Sequence, residues 1–185
     1  MSLVEDLKEF FGEGELRVTI LGIGSPIRSD DAVGLKVVEY LEEKDLKNVQ
    51  IINSGTVPES FTGKIREYMP THVLMIDAAH IEEEPGASRV IPTQMICDVC
   101  LSTHKLPLTV LTNYLDKTLG AKVGLVGIQP LSILFGEEMT PKLEIAAKDV
   151  AEAITQVLKG LSHQEAYNMH IFLFASLISF FLVGF

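Results

Sequence analysis

Residues 22–41 read GIGSPIRSDDAVGLKVVEYL. The segment begins inside an apolar run, RVTILGIG from Arg17 to Gly24, which is rich in β-branched residues and alternates little, the pattern of a strand buried on both faces. From Asp31 onward Val33, Val37, Val38 and Leu41 recur at helical spacing, so a helix follows directly. A nucleotide-binding strand, turn and helix starts this way. A dinucleotide fingerprint, however, needs a third glycine where this chain has Ile27, and Asp30 with Asp31 would repel a pyrophosphate. The simplest reading of the paired aspartates is a helix cap, in which a carboxylate accepts hydrogen bonds from unpaired N–H groups and the helix dipole favours negative charge. That reading leaves Asp31 open to a second role.

Outward from this unit, strand and helix signals alternate. Val49 to Asn53 reads as a strand and Pro58 to Tyr68 as a helix opened by proline and a carboxylate. His72 to Asp77 (HVLMID) reads as a strand ending in an aspartate, Leu108 to Leu119 as a helix, and Ala121 to Ile128 as a strand. Pro141 to Lys159 closes the series, with Leu143, Ala146, Ala147, Val150, Ile154 and Leu158 on one face. Between Asp77 and His104 runs a long loop with a turn at EEEPG and a short candidate strand, SRVIP. The alternation predicts an α/β fold, a three-layer αβα arrangement with a mostly parallel twisted central sheet flanked by helices. In such sheets ligands bind beyond the carboxyl ends of the strands, so Asp31, Gly55 and Asp77 are expected to face one cleft.

The chain of 185 residues is long enough for one domain with a sizeable core, and its formal charge of −10 argues against a nucleic-acid partner and suits a substrate segment bearing positive charge. The N-terminus MSLVEDLKEFF has neither the cationic start nor the long apolar core of a secretory signal, and there are two cysteines, so a cytoplasmic protein is expected. Residues 1–160 are read as a single α/β domain and residues 161–185 as an apolar C-terminal extension. Its uncharged stretch, Ile171 to Phe185, would span about 22 Å as a helix, short of the ~30 Å hydrocarbon core of a bilayer. Apolar all round, it calls for burial in a groove of its own chain or of another copy, ahead of weak membrane contact.

The candidate chemistry lies at three positions. Asp31 stands at a helix start, Asp77 ends a strand and is followed by the small Ala78 and Ala79, and His104 precedes a helix in LSTHKLPL. Each alone is ordinary: aspartates bond loop amides, and lone histidines sit on surfaces. Two carboxylates and an imidazole together form a common ligand set for a divalent transition metal that leaves positions open for substrate or water. Ser54 and Ser60 lack a GxSxG setting and no HExxH helix is present, which argues against serine and zincin-type proteases. Cys97 and Cys100 form a single CxxC just before His104, read as two loop thiols, with a soft metal site or a redox pair as the alternatives.

The combination GIGSPIRSDDAVG, VLMIDA, STHKLPL and GIQP, at these separations, resembles the nickel-iron hydrogenase maturation endopeptidases from about Arg17 to Leu158. The resemblance implies a peptidase that removes the C-terminal extension of the hydrogenase large-subunit precursor after nickel insertion. It implies that Asp31, Asp77 and His104 are the metal ligands and the catalytic residues, with nickel, presented by the precursor, as the metal and another divalent ion as the alternative. The chain departs from the family pattern at Ser25 (asparagine in the family), Ala32 (glycine) and Ser54-Gly55 (a glycine pair). The alternative function is a nickel-binding maturation factor without proteolysis; the possible partners are the precursor and, through the apolar tail, a second copy or a membrane surface.

Overall fold

The computed structural model describes residues 2–96 and 105–182, with side chains of the last helix placed up to residue 163. Helix α1 (Leu3–Phe11) is followed by β1 (Val18–Ile23), α2 (Val33–Glu42), β2 (Val49–Gly55), α3 (Thr62–Tyr68) and β3 (His72–Ala78). Then come β4 (Ser88–Pro92), α4 (Lys105–Leu119), β5 (Lys122–Ile128) and α5 (Pro141–Leu182). The expected α/β fold is present: one five-stranded sheet in the order β2-β1-β3-β5-β4, parallel except for β4, which runs antiparallel to β5.

Strands β1 and β3 are buried on both faces, and their alternate residues feed two cores. Val18, Ile20, Leu74, Ile76, Val126 and Ile128 point to the layer of α1, α2 and α5; Leu21, Ile23, Val73, Met75 and Leu125 point to the layer of α3 and α4. This double burial is why the strands read as continuous apolar runs. Helix α1 was not among the sequence expectations, although its signal is present: Ser2 and Glu5 form a reciprocal capping box, and Leu7, Phe10 and Phe11 are buried.

The chain leaves β1 through α2 on one face and reaches β3 through α3 on the other, so the strand order reverses beside β1. The crevice of this topological switch opens between the carboxyl ends of β1 and β3. Two glycines make the junction tight. Gly24 has φ +145, and a Cβ there would lie 1.8 Å from the Asp31 carbonyl oxygen. A Cβ on Gly34 would lie 2.2 Å from the Ile76 carbonyl oxygen and 2.3 Å from that of Ile23, so α2 starts directly on the tips of both strands. Because these neighbours are backbone atoms that cannot swing aside, Gly34→Ala is expected to destabilise the fold by about 3 kcal/mol or more, read from urea unfolding midpoints.

At the opposite end of the sheet, the His72 ring packs against Phe10 and Phe11, with centroids 5.5 and 5.7 Å away. Burial first, and then the positive charge of Lys122, push its pKa below the ordinary histidine value. The folded state therefore favours neutral imidazole. Its contribution is fully present above the unfolded-state pKa and is lost as pH falls toward and through the lower folded one, because the unfolded chain takes up the proton first. Stability should decline below about pH 6.5, and the decline should be shallower in His72→Phe, as measured by denaturant midpoints across that range.

Helix α5 continues without interruption past Gly160 for 42 residues in all, about 63 Å at 1.5 Å per residue. It begins at the crevice end, and Leu158, Lys159, Ser162 and His163 border a cavity with Asp45, Leu46 and Lys47, just before β2 starts. The extension thus leaves the sheet at the end away from the crevice. Among the described residues no helix is long and apolar enough to cross a membrane.

Candidate active site

The turn after β1 and the segment after β5 are joined into one rigid rim. Ser29 adopts a left-handed φ of +48, a costly conformation for a residue with a Cβ. It is held there from two sides, its N–H donating to the Glu137 carbonyl at 3.0 Å and its Oγ to the Glu138 carbonyl at 2.9 Å. Asp30 N–H donates to the Ser132 carbonyl at 3.1 Å, and Gly136 N–H to the Ile27 carbonyl at 2.9 Å.

The Asp30 carboxylate, 0% exposed, completes the rim. Its Oδ2 accepts from the N–H groups of Leu131 and Ser132 at 2.9 and 3.0 Å, and Oδ1 accepts from Thr140 N–H at 2.8 Å. This corrects the expectation of a cap on its own helix. Neither the 3-10 turn Ser29–Ala32 nor α2 has a side-chain cap, and Asp30 instead satisfies backbone donors a hundred residues away, including that of Thr140, which opens α5. The helix start could not show this, because the partners are distant in sequence.

Asp31 follows in the same turn and is 1% exposed. Its backbone lies against Gly24, and the turn contacts β3. Asp77, 0% exposed, is the penultimate residue of β3, with Oδ1 accepting from the Ala78 N–H at 2.9 Å. Since Gly22 pairs with Ile76, Asp77 lies beside the end of β1, and the two aspartates flank the crevice. The third arm is β2: Gly24 N–H donates to the Gly55 carbonyl at 3.0 Å, so the loops after β1, β2 and β3 meet as expected. The departure at Ser54 has a local account, for its buried hydroxyl donates to the Gly22 carbonyl at 2.7 Å and ties β2 to β1.

His104, Cys97 and Cys100 lie outside the described residues. Among the described residues no three His, Cys, Asp or Glu side chains converge, so two members of the expected ligand set are located. Their chemistry suits a divalent ion, since two buried carboxylates in one crevice are hard, anionic oxygen donors. A cavity of about 500 Å³ bordered by Asp6, Phe10, Thr93, Asp116 and Lys122 lies elsewhere, by the start of β5, away from the switch point.

A doubly wound α/β sheet with buried acidic residues at its switch point has the architecture in which ligands bind at that crevice. Comparison with known proteins narrows it. Residues 35–157 match the family model HycI, hydrogenase maturation protease, a span that contains Asp77 and begins just after Asp31. The hydrogenase 3 maturation protease of Escherichia coli K12 is 32% identical over 142 residues, covering 76% of this chain and 88% of that one. The crystal structure of the [NiFe] hydrogenase maturation protease HycI from Thermococcus kodakarensis superimposes with a TM-score of 0.74 at 35% identity, over 83% of this chain and 98% of that one. The hydrogenase maturating endopeptidase HybD of E. coli gives 0.65 at 27% identity, over 80% and 94%. The chain belongs to the hydrogenase maturation protease family and is an endopeptidase.

Proposed function

We propose that this protein removes the C-terminal extension from a nickel-iron hydrogenase large-subunit precursor, and does so only after nickel has been inserted. The observation that carries the reading is the pair of buried carboxylates, Asp31 and Asp77, on either side of the switch-point crevice of a hydrogenase maturation protease fold. His104 is the third member of the set. Nickel enters as part of the substrate, and its chemistry there is that of a Lewis acid for the scissile carbonyl or its attacking water.

The chain's own residues do the rest. Asp31 and Asp77 engage the cargo metal and so place the adjoining peptide bond in the crevice, which converts recognition of a finished nickel site into positioning of the bond to be cut. One of these carboxylates also serves as the proton acceptor and donor during hydrolysis. Family membership favours this protease over a nickel-binding factor without proteolysis.

The test mixes purified enzyme with nickel-loaded and nickel-free precursor and follows intact mass. The expected result is discrete loss of a C-terminal peptide in the nickel-loaded sample alone. Equal cleavage of both samples would remove nickel gating from the reading; cleavage of neither would remove the assigned substrate.

A further inference from the structure

Five large apolar side chains stand out in water around the crevice mouth. Ile27, in the turn after β1, is 55% exposed, and Val57, after β2, is 47% exposed; Leu131, Leu134 and Phe135, after β5, are 61, 61 and 72% exposed. Scattered surface apolar residues need no explanation, but these gather on the loops at one end of the sheet, the end that carries Asp31 and Asp77. All but Val57 are also held firmly. The hydrogen bonds from Gly136 to Ile27, from Ser29 to Glu137, and from Leu131 and Ser132 to Asp30 fix the backbones that present them.

These bonds tie the loop backbone after β5 to the β1 turn. Apolar tips held out beside the crevice match a polypeptide segment, which offers apolar side chains to cover them.

We infer that the Ile27, Leu131, Leu134 and Phe135 rim is the docking surface for the protein substrate, engaging an apolar face of the large-subunit precursor outside the scissile bond. This rests on the proposed function for the identity of the substrate, and on continuity with the crevice for the choice of occupant. Anchoring on a preformed rim places binding energy in contacts remote from the reacting bond, which an enzyme that must read a folded precursor needs in order to hold it in register.

The experiment uses the full-length enzyme carrying Leu134→Ser and Phe135→Ser, both at exposed positions, with circular dichroism and thermal unfolding to establish that the fold is kept. Initial cleavage rates are measured against concentration of the nickel-loaded precursor encoded in the same genome. The expected result is a rise in KM of about tenfold or more with a much smaller change in kcat. Affinity for the same precursor is measured separately by titration on the Asp31→Asn background, where no cleavage confuses binding, and should weaken by a similar factor.

An unchanged KM and unchanged affinity would overturn the inference. So would a wild-type dimer that the double variant dissociates without loss of precursor affinity, which would give the rim to a second copy of the chain. If the wild-type enzyme fails to cleave the precursor, the functional reading fails while the titration still decides the docking surface: weakened binding supports it, and unaltered binding sinks it.

Discussion

Asp31→Asn is expected to reduce precursor cleavage by about a thousandfold or more while the protein stays folded. The substitution keeps the volume of a side chain that is 1% exposed and removes its charge. The carboxylate has interactions of its own within the fold, so a small shift of the unfolding midpoint accompanies the substitution, far below the loss of rate. Asp77→Asn and His104→Ala are expected to fall to the same degree. Single-turnover cleavage of nickel-loaded precursor, followed by intact mass, reads the loss. Wild-type rates in the three variants would remove them from the site altogether.

How far this site was legible in the sequence depends on the range of the interactions involved. The strands were readable because double burial writes an unbroken apolar run, as in VTILGI and HVLMIDA, and the switch point then follows from alternation. Asp31 and Asp77 were found because each ends or begins an element at the carboxyl edge, a local feature. The reversed direction of β4 was not readable, since five residues of SRVIP carry no mark of orientation. Nor was the real task of Asp30. Its three donors, Leu131, Ser132 and Thr140, are brought to it only by closure of the whole sheet. The apolar rim was hidden for the same reason, because Leu134 and Phe135 look like core residues until the loop that presents them is seen to be pinned outward.

Asp30→Ala is expected to have the opposite profile to Asp31→Asn, with a loss of about 4 kcal/mol in unfolding free energy. Three backbone N–H groups, at 2.9, 3.0 and 2.8 Å from the carboxylate, lose a charged acceptor that is fully buried, and water has little access to replace it. Asp30→Asn should fall between, because one of the two oxygens becomes an NH₂ that faces a donor. The effect on cleavage is secondary but directional. With the rim unlatched, Ser29 no longer has reason to hold φ +48, and the backbone that carries Asp31 shares its turn. The surviving folded fraction should therefore show a raised KM as the rim loosens, and a lowered kcat as Asp31 loses its aim. Urea unfolding and precursor cleavage on the same preparations separate the two aspartates. If both variants lose stability and activity in equal measure, the neighbours act as one unit, and the division between a residue that holds the rim and a residue that meets the cargo is wrong.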